Sequence, residues 1–126
     1  MRTPLALAAA LLAFSACGSS VCTRVGDQKT RIFGTKTKCE YTEGGSTLSV
    51  SIDQSSVSQC EASLSKCGSA DTAIVNEWLG CIEGVPACTA GNEKASVDAT
   101  IACAAKLFDT STGTPKVSTE CLQAFN

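Results

Sequence analysis

Nine cysteines stand in a chain of 126 residues that contains no histidine. Small domains that bury too little apolar surface are commonly crosslinked, and disulfides persist only in oxidising compartments. Large core anchors are few here, with one Trp, one Tyr and four Phe. Each bridge typically contributes about 2–4 kcal/mol, against a net stability of about 5–15 kcal/mol for a small domain. The bridges are therefore comparable to the whole margin, and the sequence predicts a fold largely lost on reduction.

Nine is odd, and Cys17 is the residue to set apart. Arg2 gives a positive start, Leu5 to Phe14 is an unbroken apolar run, and Ser15 and Ala16 are small. This pattern reads as a secretory signal peptide over residues 1–16, too short to span a bilayer as a helix. The segment Phe14-Ser15-Ala16-Cys17 resembles a bacterial lipobox, in which small residues precede a cysteine that takes a diacylglycerol and becomes the first mature residue. Ser15, Ala16 and Cys17 fit that pattern. Phe14 departs from it, because an aliphatic residue is usual there.

The resemblance implies a lipidated Cys17, with residues 17–20 as anchor and short tether. It also implies the outer membrane, since no Asp follows Cys17. The alternative is ordinary cleavage after Gly18, which discards Cys17 and leaves a soluble extracellular protein. Both routes remove one cysteine. The remaining eight, Cys22, Cys39, Cys60, Cys67, Cys81, Cys88, Cys103 and Cys121, read as four disulfides within a single domain over residues 21–126.

Residues 21–52 read as strand. VCTRV is one candidate, Gly26-Asp27 a turn, and Ile32 and Phe33 lie on another strand. The segment TKCEYTEGGSTLSVSI is the clearest, because Gly44-Gly45 is a two-residue hairpin signal. With that turn, Cys39 faces Val50 and Tyr41 faces Leu48. Cys39, Tyr41, Leu48, Val50 and Ile52 then share one face, an alternation that agrees with the turn on both strands.

From residue 53 the period changes to 3.6. Val57, Cys60, Leu64 and Cys67 form one helical stripe, with Asp53, Ser55 or Ser56 as cap and Gly68 as terminator. Ile74, Val75, Trp78, Cys81 and Ile82 form a second, started by Asp71 and stopped by Gly84 and Pro86. A third helix is expected over residues 92–108, with Val97, Ile101, Ala104 and Phe108 inward and Cys103 and Leu107 on its flank. A loop over residues 109–117 and a short helix with Cys121, Leu122 and Phe125 complete the chain. The expected fold is α+β: an N-terminal hairpin or meander followed by a disulfide-stapled three-helix bundle.

Cys60 and Cys67, seven residues apart on one helix, would sit about 10 Å apart, beyond the roughly 7 Å between Cα atoms that a disulfide spans. Each must reach another element. Matching heights along antiparallel helices gives Cys60–Cys81 and Cys67–Cys103, a returning C-terminal segment brings Cys121 to Cys88, and Cys22–Cys39 remains within the β region as the fourth expected pair.

Without histidine, Ser-His-Asp and Cys-His catalysis are excluded. No C-x-x-C supports a zinc ribbon or a thioredoxin-type dithiol. No phosphate loop or dinucleotide fingerprint occurs, and a net charge of −2 provides no field for nucleic acid. No cofactor or metal is expected. Glu77 and Glu83 read as solvated, Trp78 and Tyr41 as core. Arg24, Arg31, Lys36 and Lys38 read as a mildly basic solvated edge, or else as a docking patch for an acidic partner.

The chain is similar in style to small cysteine-rich lipoproteins of bacterial envelopes, with the lipobox as the motif that carries the likeness. That resemblance implies a lipid-anchored, non-enzymatic envelope protein with a binding or surface-structural role, held to the membrane through Cys17 and facing an unidentified protein or envelope partner. The alternatives are a freely secreted inhibitor or effector-like protein and, from another class, an enzyme using carboxylates alone.

Overall fold

The structure is a computed structural model that describes residues 20–53 and 56–123. In chain order it contains α1 (Val21–Phe33), β1 (Cys39–Glu43), β2 (Ser46–Val50), α2 (Val57–Leu64), α3 (Ser69–Glu83), α4 (Glu93–Ala104) and α5 (Thr119–Leu122). The fold is α+β, a two-strand antiparallel hairpin among helices, held by four disulfides.

The first helix corrects the strand expected over residues 21–33. Ser20 caps it, its hydroxyl accepting from the Thr23 amide at 3.1 Å. Cys22, Val25, Ile32 and Phe33 are buried, a spacing that follows one helical face. The apolar residues of VCTRV, Val21, Cys22 and Val25, stand at i, i+1 and i+4, a helical spacing in a segment whose β-branched Val and Thr also suit a strand. Beyond it, Gln28, Lys29 and Arg31 are good helix formers, and Gly26 sits within the helix instead of in a turn. The helix ends at Gly34, whose φ is +60° and whose amide returns to Thr30 O at 2.8 Å.

The hairpin has the expected register, from Cys39 opposite Val50 to Glu43 opposite Ser46. Gly44 and Gly45 have φ of +59° and +80°, as a tight turn matched to strand twist demands. Burial fades along the apolar face. Cys39 and Ile52 are buried, Tyr41 and Val50 half-buried, and Leu48 is 45% exposed near the tip. The hairpin packs on α4, where the Tyr41 hydroxyl donates to Asp98 at 3.0 Å.

Ser56, one of the three expected caps, starts α2 by accepting from the Gln59 amide. That helix ends at Leu64, short of Cys67. Gly68 is the N-cap of α3, and Asp71 lies in its first turn. Val75, Trp78, Leu79 and Ile82 form its buried stripe, and Gly84 ends it.

α4 is rotated relative to expectation. Ser96, Val97, Thr100 and Cys103 point inward, and Ile101 is 46% exposed. The helix is rich in Ala, Ser and Thr, so its apolar pattern sets the phase weakly, and the bridge from Cys103 to α3 settles it. The bundle is also organised differently from the three consecutive helices expected: α1 packs on α2 and α3, and α3 on α4.

Candidate functional site

All eight cysteines from Cys22 to Cys121 are bridged, and none of the expected pairs forms. The pairs are Cys22–Cys60, Cys39–Cys88, Cys67–Cys121 and Cys81–Cys103, with Cα atoms 5.8, 5.9, 4.6 and 5.6 Å apart. The first correction follows from α1: with residues 21–33 helical, Cys22 lies against α2, away from the hairpin, and meets Cys60. Cys39 is thereby left for Cys88, which follows α3 and whose amide bonds to Ile32 O at 2.7 Å. Cys67 follows the end of α2 and is met by the returning C-terminal segment at Cys121. That leaves α3 and α4 to share Cys81–Cys103. Cys60 and Cys67 do reach separate elements, although α2 ends at Leu64 and the one-helix spacing expected to keep them apart does not hold. Cys17 and Phe125 lie outside the described residues.

The bridges interlock. Cys39 lies within the loop closed by Cys22–Cys60, its partner Cys88 lies beyond that loop, and Cys67–Cys121 encloses both Cys88 and Cys81–Cys103. Every α element and β1 is therefore tied, directly or through an adjoining turn, to another part of the fold.

Where these elements converge there is an apolar cavity of about 270 Å³. Its walls come from Val25 of α1, Ile52 after β2, Trp78 of α3, Leu107 and Phe108 after α4, and Leu122 of α5. Trp78, the chain's single tryptophan, is both core and wall, 9% exposed. Ser51 and Asp53 are exposed at the rim, and the Ser51 hydroxyl donates to Asp53 at 3.3 Å. Asp53 was one of three candidate caps for α2, with Ser55 and Ser56. Ser56 takes that place, which leaves the Asp53 carboxylate at the cavity mouth. The sequence did not reveal the cavity, because its walls come from five separated segments brought together by the bridges.

The basic residues read as an edge or a patch are each engaged within the chain. Arg24 pairs with Glu83 at 2.6 Å, so Glu83 is less free than a solvated residue. Arg31 donates to Val85 O at 2.7 Å and Ile82 O at 3.0 Å, satisfying carbonyls at the end of α3. Lys38 pairs with Glu40, and Lys36 reaches Cys88 O.

Two polar clusters fasten the frame. Lys94 contacts Glu43, Asp98 and the Tyr41 hydroxyl, and lies 4.7 Å from the Tyr41 ring centre. Asp98, chiefly through Lys94 and then Tyr41, is held below the ordinary carboxylate range, and Lys94 is pushed up by the same contacts. Between α3 and α5, Asp71 accepts both the hydroxyl and the amide of Ser118.

Among the described residues, no group of three or more His, Cys, Asp or Glu is placed to hold a metal ion, and no helix is long and apolar enough to cross a membrane. Comparison with protein-family models, curated proteins and solved structures found no match.

Proposed function

We propose that this chain is an exported, non-enzymatic binding module of the cell envelope, held at the outer membrane by lipid on Cys17. The observation that carries the reading is the bridging of all eight cysteines from Cys22 onward. Loops of 22 to 54 residues are closed, each constraint opposing unfolding by about 3–4 kcal/mol in the chain-entropy account. A framework of this weight belongs to an oxidising compartment. It also pairs the other eight cysteines with one another, which is compatible with Cys17 being the acylated residue that the lipobox resemblance implies. Two or three acyl chains on one cysteine give stable anchoring. The first helix begins at Val21, so the tether from Cys17 is short and the domain would ride close to the bilayer.

Free secretion after cleavage at Gly18 is the competing reading, and the same bridges support it. A non-enzymatic role is favoured by the lack of histidine and by the engagement of Arg24, Arg31, Lys36 and Lys38 within the chain. Intact mass of the exported protein, before and after reduction, tests these readings together. The anchored form starts at Cys17, carries diacylglycerol and gains eight hydrogens on reduction. A mass starting at Ser19 without lipid supports free secretion. A full-length mass with titratable thiols overturns both.

A further inference from the structure

We propose that the cavity walled by Trp78 binds a small cationic amphiphile, an alkyl or arylalkyl ammonium, with its apolar body inside and its charge at Asp53. Six apolar side chains from five segments make the walls. A cavity of about 270 Å³ holds on the order of nine water-sized groups at roughly 30 Å³ each, enough for a chain or ring of about eight carbons. Sites of this kind combine apolar walls with a few polar groups that orient the ligand.

The polar groups here are of one sign. Asp53 is the charged residue among those lining the cavity, no Lys or Arg lines it, and Ser51 adds a hydroxyl beside the carboxylate. Asp53 has no cation partner among the described residues. An ammonium entering tail-first would meet a carboxylate ready to accept its hydrogen bonds. A fatty acid of the same length would bring two carboxylates together. A neutral alcohol would gain the apolar contacts alone. The walls are fixed from several sides: Cys22–Cys60 holds α1, Cys81–Cys103 holds α3 to α4, and Cys67–Cys121 holds α5. The site therefore forms with little ordering cost on binding.

The inference rests on the binding part of the proposed function and is independent of the anchor. The test is titration of the exported, oxidised protein with octylammonium, octanol and octanoate. The readout is the emission of Trp78, which is the whole tryptophan signal of the chain. The expected order of affinity is octylammonium, octanol, octanoate. Asp53→Asn is expected to weaken octylammonium by about two- to fivefold and leave octanol unchanged. Leu122→Phe, which fills the cavity, is expected to abolish saturable binding of both. No saturable change with any probe, octanoate binding as tightly as octylammonium, or an unchanged preference in Asp53→Asn would each overturn the proposal. None of these results alters the mass measurement on Cys17, so the two readings fail separately.

Discussion

The hydroxyl of Ser118 donates to the carboxylate of Asp71 at 2.6 Å, and the Ser118 amide donates to the same carboxylate at 3.1 Å. The same hydroxyl accepts from the Cys121 amide at 3.3 Å, so one serine joins the first turn of α3 to the capped start of α5. Next to it, Cys67–Cys121 closes the longest loop in the chain. The C-terminal segment that completes the cavity through Leu122 is thus held by a sulfur bond and by a carboxylate.

The bonds from Ser118, side chain first and then backbone, hold the Asp71 carboxyl below its ordinary value, with the Gly68 amide adding to them. A folded-state pKa below the unfolded one stabilises the fold above the unfolded value, about 3.9 for Asp. That contribution is lost as pH falls through the folded value. Asp98 and Asp109 are lowered as well and act in the same window. Asp71→Asn should therefore reduce stability at neutral pH and make the acid limb below about pH 4 shallower, without abolishing it. Denaturant midpoints from pH 2 to 7 in both proteins check this, and parallel curves would contradict it.

Ser96 is fully buried in α4, and its hydroxyl has no hydrogen-bond partner among the described residues. An unmet buried hydroxyl costs roughly 1 kcal/mol or more, and alanine is also the better helix former. Ser96→Ala should raise stability by about 1 kcal/mol, read as a higher denaturant midpoint at unchanged slope. A loss of stability would show that the hydroxyl has a partner after all.

Arg31 lies in the last turn of α1 and bonds two carbonyls at the end of α3 with separate nitrogens. A planar fork suits two acceptors, whereas lysine offers a single point charge. Arg31→Met should cost about 1–2 kcal/mol, and Arg31→Lys should recover less than half of that. Thermal melts of the three proteins decide it, and full recovery by lysine would show that charge alone matters.

The phase of α4 separates what the sequence could indicate from what it could not. Val97 is fully buried, and Ile101, expected beside it, is 46% exposed. Val97→Ala should cost about 2 kcal/mol, while Ile101→Lys should stay within about 0.5 kcal/mol. Equal losses from the two changes would mean that the helix presents the face first expected.

The elements written in local pattern were legible. Gly44-Gly45 and the alternation around it specified the hairpin to the residue, because a two-residue turn leaves one register. Ser56, one of three candidate caps, and Gly84, the expected stop of α3, follow from local signals within a few positions, whereas the Ser118 cap of α5 was not foreseen. α1 was not legible, because its β-branched Val21, Thr23 and Val25 suit a strand as well and Gly26 imitates a turn. The disulfide pairs were missed for a related reason. They depend on which helix lies against which, and once α1 replaced a strand, Cys22 lost Cys39 and every other pair shifted. The cavity depends on those pairs, so the sequence offered Asp53 no reading beyond that of one candidate cap among three.

The bridge pattern is what holds the rest of the molecule in place, and mapping it is the most direct check. Trypsin with a glutamyl-specific protease, applied without reduction, places all eight cysteines on separate peptides, since cleavable residues such as Arg24, Glu61, Glu77 and Glu83 lie between them. Mass spectrometry should find Cys22 joined to Cys60, Cys39 to Cys88, Cys67 to Cys121 and Cys81 to Cys103. Recovery of Cys22 joined to Cys39, or of free thiols among these eight, would contradict the account.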